Sequence, residues 1–198
     1  NPIYLMDMDK CHFFSTRGSY IIFKIFTIAS MKYIVLIIFL FATFLLFYEG
    51  LKKDPKVVPS NLISKEIPKF KLSSFGNESF EDSDLRTKDL KLVNFFASWC
   101  PPCKVEHVNL IELSKNVKIF GIAKKDTVKN IETWFSVRGN PYNKIGFDHD
   151  GMISINWGVY GLPETFIINS EQKIIYRHVG AITEKDMKKI RLVLDKNK

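Results

Sequence analysis

The sequence predicts an α/β domain preceded by an apolar helix of membrane-spanning character. Three observations carry that prediction. Short apolar strands alternate with helical patterns between about residues 92 and 194. One strand, Phe95-Phe-Ala-Ser-Trp, runs directly into Cys100-Pro-Pro-Cys103, and Tyr33 to Tyr48 is an apolar and aromatic run broken only by Thr43. A chain of 198 residues accommodates one domain of ordinary size plus extensions. Its 46% hydrophobic content and 17 Phe suit a membrane segment together with a packed core. The net charge of +8 comes from lysines scattered along the chain, as on solvated surfaces and helix ends. No basic stretch is interleaved with aromatics, so no nucleic-acid partner is expected. Three cysteines are too few for a disulfide-stapled scaffold.

From the N-terminus, residues 1–30 read as an upstream extension or translated leader of doubtful role. The chain begins with Asn1, and Met31-Lys32 sits at the usual distance before an anchor. Cys11 and His12 fall inside this stretch and receive no role. Residues 31–51 read as a transmembrane signal anchor. The uninterrupted run would span only about 24 Å as helix, but Gly50, Leu51 and snorkelling by Lys32 extend it towards the ~30 Å hydrocarbon core. A cleaved signal peptide would need a small-x-small site after the apolar core, and Phe47-Tyr-Glu-Gly-Leu-Lys offers none. Lysines flank both ends, so charge does not orient the span. Residues 52–66, with Pro55 and Pro59, read as a semi-rigid tether, and 67–198 as the folded domain.

Within that domain, Leu92–Ala97 is predicted as a strand. A helix should follow from Pro101 to about Lys115, with Val105, Val108, Leu110, Ile111 and Leu113 on its apolar face. Pro101 suits the first turn, where its missing N–H would be unpaired anyway. Val117–Ala123 is the next strand, and Thr127 caps a helix to Val137 that buries Ile131, Trp134 and Phe135. Glu164–Asn169 and Lys173–Val179 form a hairpin across Ser-Glu-Gln. Thr183 and Asp186 are placed for a capping box on a last helix that turns Met187, Ile190, Val193 and Leu194 inward. A βαβ unit followed by a hairpin and a helix is a thioredoxin-like arrangement, a central mixed sheet flanked by helices.

The strand-to-helix break places Cys100 at a helix N-terminus, where unpaired N–H groups and the helix dipole favour a thiolate. Such a thiolate can attack a disulfide, and Cys103 one turn later can resolve the mixed disulfide. Zinc would need two further ligands at matching spacing, and His12, His107, His149 and His178 form no such pair. Haem attachment needs His after the second cysteine, whereas Lys104 stands there. A purely structural bridge closing so short a loop would stabilise little. Phe147-Asp-His-Asp-Gly151 lacks the later bidentate Glu of a calcium loop. Neither a metal nor a cofactor beyond the cysteine pair is expected. Pro163 before the Glu164 strand reads either as a trans strand-start proline or as a cis-proline loop beside Cys100.

Five runs fall in order: Ala97-Ser-Trp-Cys-Pro-Pro-Cys-Lys-Val-Glu-His, Gly139-Asn-Pro-Tyr, Phe147-Asp-His-Asp-Gly-Met, Gly158-Val-Tyr-Gly-Leu-Pro-Glu-Thr-Phe and Tyr176-Arg-His-Val-Gly. Together they resemble the membrane-anchored thiol:disulfide interchange proteins of cytochrome c maturation, the DsbE or CcmG type, over about residues 31–195. The resemblance implies a disulfide reductase held in the bacterial inner membrane by a single span, its domain in the periplasm. It would keep the haem-binding cysteines of apocytochrome c reduced, directly or through a partner dithiol protein. Its electrons would come from a membrane reductase of the DsbD or CcdA type.

In that reading Cys100 is the exposed attacking thiolate and Cys103 the more buried resolving cysteine. Trp99, Pro101 and Pro102 shape access and redox tuning, and Pro163 is the cis-proline that presents the Leu162 backbone, with Tyr160 beside it, to substrate. Asn94 departs from general thioredoxins, which place a buried Asp on this strand. An amide cannot accept a proton, so Glu106, one turn after Cys103, or Glu164 is a candidate to assist. The Phe147–Gly151 run reads as a loop near the active site, and His107 and His178 as surface or packing residues. Two other functions compete: a membrane-anchored thioredoxin of broader substrate range, and a non-catalytic module that binds apocytochrome with the cysteines incidental.

Overall fold

The computed structural model describes residues 31–51, 62–76 and 78–197. The chain divides into two units, residues 1–55 and 56–198. In the first, helix α1 spans Met31–Leu51, 21 residues with a mean hydropathy of 2.4, long and apolar enough to cross a membrane. Its one internal polar side chain, Thr43, donates its hydroxyl to the Phe39 carbonyl at 2.8 Å. That hydroxyl therefore needs no water along an apolar face. Residues 1–30 and most of the expected tether lie outside the described residues.

In the second unit the order is β1 (Lys71–Ser73), β2 (Ser79–Glu81), a 3-10 turn (Asp82–Leu85), β3 (Lys91–Phe96), α2 (Pro101–Ser114), β4 (Lys118–Lys124), α3 (Val128–Arg138), β5 (Lys144–Asp148), α4 (Met152–Asn156), β6 (Glu164–Ile168), β7 (Ile174–Val179) and α5 (Glu184–Lys196). The sheet runs β2-β1-β5-β4-β3-β6-β7. β3, β4 and β5 are parallel, while β6, β7, β1 and β2 each join antiparallel. The last residues of the stretch expected as tether are already part of the fold. Ser64 donates to the Ile174 carbonyl at 2.8 Å, Ile174 donates back to Lys65 at 3.0 Å, and Glu66 bridges Lys173.

β3 is an interior strand between β4 and β6, and all six of its residues are buried. Its alternation sends Leu92 and Phe96 to one face, with the two cysteines and α2, α3 and α5, and Val93 and Phe95 to the other, with Trp157, Phe80 and Phe166. Each such fully buried side chain contributes roughly 2 kcal/mol. Asn94 shares the face of Leu92 and Phe96, so strand periodicity delivers one amide into the layer between the sheet and α2.

α2 turns a different face inward from the one its apolar residues suggest. Cys103, Glu106, His107, Leu110 and Leu113 are buried, whereas Val105 and Val108 are 71% and 63% exposed. The buried positions fall at i, i+3, i+4, i+7 and i+10, a regular helical stripe. Once Cys103 must face the core, geometry carries Glu106 and His107 in with it. The caps of α3 and α5 form through Thr127 and through the Thr183–Asp186 capping box. β1, β2, β5 and α4 have no counterpart in the sequence reading. Phe147 and Asp148 end strand β5, and Asp148 is a buried anchor for α4, accepting from the backbone N–H of Ile153 and Ser154 and from the Ser154 hydroxyl at 2.6 Å.

Candidate active site

Cys100 is the N-cap of α2, followed by Pro101 and Pro102 in the first turn. It is disulfide-bonded to Cys103 with Cα atoms 5.3 Å apart, and its Sγ accepts the Cys103 N–H at 3.3 Å. One of the orphan amides of the helix start thus already points at the sulfur that would carry negative charge. Both cysteines are buried, Cys100 at 3% and Cys103 at 1% exposure, against the expectation of an exposed Cys100. Trp99 is 57% exposed.

The turn that carries Trp99 is held by the loop after β4. Trp99 Nε1 donates to the Lys125 carbonyl at 3.1 Å, and the Ser98 N–H donates to buried Asp126 at 2.5 Å. The other Asp126 oxygen accepts from the Thr127 N–H and from Asn130. Asp126 therefore ties the cysteine turn to the start of α3. It was not singled out from the sequence, where an Asp before a capping Thr reads only as part of the cap.

Behind Cys103 lies a buried polar network. Glu106 is fully buried, and its two oxygens accept from Asn94 Nδ2 at 2.9 Å and from the Ile182 N–H at 2.9 Å. Asn94 Nδ2 also donates to the Thr165 hydroxyl at 2.9 Å, and its Oδ1 accepts from the Tyr142 hydroxyl at 2.7 Å. Burial pushes the Glu106 carboxyl up to about 7, with the Ile182 and Asn94 hydrogen bonds opposing the rise. The Tyr142 phenol is also held above its ordinary value by burial and by the nearby Glu106 charge. The site thus contains a carboxyl poised to exchange a proton near neutrality, one turn along α2 from Cys103.

Tyr142 reaches Asn94 across Gly121. A Cβ on Gly121 would lie 2.8 Å from Phe96 and 3.0 Å from Tyr142, so only glycine lets the ring lie on the sheet, stacked on Phe96 at 4.6 Å. The phenol fixes which end of the Asn94 amide faces Glu106. In Tyr142→Phe the amide is free to turn its oxygen towards the carboxylate, so the midpoint of the pH–rate profile for disulfide exchange should shift upward. An unchanged midpoint at lowered stability would leave Tyr142 with packing alone.

The Leu162–Pro163 bond is cis, and Pro163 is buried. The loop before it is pinned from below by Glu164. This carboxylate is 0% exposed and accepts from the Tyr160 N–H at 2.8 Å and the Gly161 N–H at 3.2 Å. It also pairs with Arg177, whose Nε lies at 2.8 Å and whose Nη2 donates onward to the Gly158 carbonyl at 2.9 Å. The Arg177 guanidinium sits 5.0 Å from the Tyr160 ring centroid, and Tyr160 is 70% exposed above it. Both Glu164 oxygens are thereby committed to the loop and to Arg177. Its occupation here is positioning rather than proton transfer. Arg177 was not singled out from the sequence because a charged residue on an alternating strand reads as solvent-facing.

His107 is buried, and its Nε2 donates to the Arg138 and Gly139 carbonyls at 3.2 and 3.1 Å, with burial pushing its pKa down. It packs against Trp134 and so joins α2 to α3. His178 is buried at the end of β7, 3.8 Å from Asp186.

A family model described as Redoxin matches residues 63–194. The thiol:disulfide interchange protein HelX of Rhodobacter capsulatus is 42% identical over 135 residues, covering 67% of this chain and 77% of that protein. This chain belongs to the DsbE-type thiol:disulfide interchange proteins of the redoxin family. DsbE of Escherichia coli K12 is likewise 42% identical over 130 residues, 64% of this chain and 70% of its own length. Among solved structures, a thiol-disulfide oxidoreductase from Bacteroides fragilis superposes with a TM-score of 0.57 at 23% identity, covering 66% of this chain and all of the other. The fold is thioredoxin-like, and the activity of this DsbE-type chain is thiol–disulfide exchange.

Proposed function

We propose that the protein is a membrane-anchored disulfide reductase of cytochrome c assembly, its domain on the periplasmic side of the bacterial inner membrane. The observation that carries the reading is Cys100 at the N-cap of α2, bonded to Cys103, in a chain that also has the cis Leu162–Pro163 loop and a buried carboxyl behind the resolving cysteine. The choice of cytochrome c rests on the resemblance of the Gly158–Thr165 block and the Asn140–Met152 insert to that branch of interchange proteins. α1 supports the anchor.

In the forward direction Cys100 thiolate attacks a substrate disulfide, forming a Cys100–substrate bond and releasing one substrate thiol. Cys103 then loses its proton and attacks Cys100 Sγ, closing the protein disulfide and freeing the second substrate thiol. Two electrons pass from protein to substrate. The described state, with the bond closed, is the oxidised end of that cycle, and a membrane reductase of the DsbD or CcdA type would reopen it. Glu106 takes the Cys103 proton, a task Asn94 cannot perform. Tyr160 and the Leu162 backbone flank the approach of the substrate peptide.

Cys103→Ser leaves attack intact and removes resolution. It should accumulate a mixed disulfide through Cys100 whose covalent partner is apocytochrome c or a dithiol protein of its maturation. Many unrelated partners would favour a general thioredoxin. No partner, with cytochrome c assembly intact in the Cys103→Ser strain, would leave only non-covalent binding and defeat the redox reading.

A further inference from the structure

A second recognition surface adjoins the disulfide. A groove of ≈ 440 Å³ opens between α2 and α3, lined among others by Ser98, Lys104, Lys129, Trp134, Val137 and Arg138, with no acidic residue in its wall. It starts two residues before Cys100 and passes Lys104, the neighbour of Cys103. Lys104, Lys129 and Arg138 are all exposed, and among the described residues no ion pair neutralises any of them. The single acid of α3, Glu132, is not part of the groove wall: it flanks the Lys129 edge, about 60° from Lys129 and about 150° from the centre of the face formed by 129, 130, 133, 134, 137 and 138. Val137 is 80% exposed at the rim, and the buried face of Trp134 forms the floor.

We propose that this groove docks an acidic segment of a protein exchange partner, next to the partner's reacting cysteine. The inference rests on the disulfide-exchange reading and adds to it the charge of the partner and the side from which it approaches. Three cations on a concave wall with no carboxylate raise the local concentration of an anionic peptide, whereas isolated surface lysines do not. The position matters as much as the charge. A segment seated here leaves the Tyr160–Leu162 loop free for the residues around the disulfide, so the two surfaces act together on one extended partner. The other carboxylates near the turn offer no competition: Asp126 is buried and already bonded to Ser98, Thr127 and Asn130.

The test uses the reduced, detergent-solubilised full chain and two disulfide-bridged peptides that differ only in a flank of three aspartates or three serines. Exchange is followed by loss of the peptide disulfide. At low salt the acidic peptide should react at least about ten-fold faster, within the range of electrostatic steering. About 0.5 M salt should close the gap, because the screening length then falls below the groove's dimensions. The Lys129→Glu/Arg138→Glu variant, which leaves the cysteine turn and Lys104 untouched, should lose the gap while the serine peptide keeps its rate. Lys129→Gln/Arg138→Gln should give an intermediate gap. Equal rates for the two peptides in the wild type, or a gap that survives charge reversal, would overturn the groove and leave exchange standing. Failure of both peptides to react would overturn the exchange reading and this proposal with it.

Discussion

Glu106→Gln is expected to slow the resolving step of exchange about 100-fold at pH 7, at the lower end of what a positioned base supplies. The wild-type rate should rise with pH through about 7, where the buried carboxyl gives up its proton. In the variant that rise disappears, leaving only the increase of a free thiol near 8.5. The mixed disulfide through Cys100 should build up during turnover as it does in Cys103→Ser, but transiently. Stability carries a second, independent signature. The folded carboxyl keeps its proton up to about pH 7, while the unfolded one releases it near 4.5. The folded state therefore binds more protons across that window, and stability falls as pH rises through it, by roughly 3 kcal/mol in all. Glu106→Gln should flatten that slope in denaturant titrations at pH 5 and pH 8. A variant with the wild-type pH–rate profile would remove Glu106 from the proton path, whatever its stability.

Glu164→Gln is expected to cost 3–5 kcal/mol, about the penalty for stranding one member of a buried ion pair. The Arg177 side chain is only 3% exposed, so its charge has no water to turn to. The one oxygen of the amide can accept either from the Tyr160 and Gly161 N–H groups or from Arg177, but not from both sides as the two carboxylate oxygens do. Replacing both partners, Glu164→Gln with Arg177→Met, should recover part of the loss because no orphan charge remains. The exchange rate should fall in the single variant through disorder of the 158–162 loop, with no change in the pH midpoint. Denaturant melts of the two variants and the wild type decide this. A single variant within about 1 kcal/mol of wild type would show that the pair contributes no more than a surface bridge.

The two variants separate roles that look alike on paper. Both residues are buried glutamates beside the cysteine pair. Glu106 has two hydrogen bonds from neutral donors and no cation, so burial dominates and its proton is held to near neutrality. Glu164 has a guanidinium in contact and both of its oxygens engaged by Arg177 and the loop. The neighbours, not the residue type, separate the surroundings of these two carboxyls.

Local patterns carried much of this molecule. The α1 run, the strand into Cys100-Pro-Pro-Cys103, the caps at Thr127 and Thr183 and the β6–β7 hairpin are all local in sequence, set by periodicity, capping and turn chemistry within a few residues. The redox centre was legible for the same reason, since Cys100, the prolines and Cys103 sit within one helical turn. The short strands β1 and β2 were not, because three residues carry too little periodicity to stand out, and β5 hid behind the Asp148-His-Asp-Gly turn. What only the tertiary structure decided is the surroundings of the cysteines. Tyr142, Asn94, Thr165 and Glu106 lie on four elements, and their contact depends on sheet order and on the absence of a side chain at Gly121. Asp126 read as part of a helix cap and Arg177 as a solvent-facing charge, and only the loop after β4 and strand β7 bring them to the cysteine turn and the loop before Pro163. The sequence alone settled that a dithiol would react at a helix N-terminus. Long-range packing decided which groups surround that dithiol and pin the Pro163 loop, because pairings far apart in sequence leave no periodic trace.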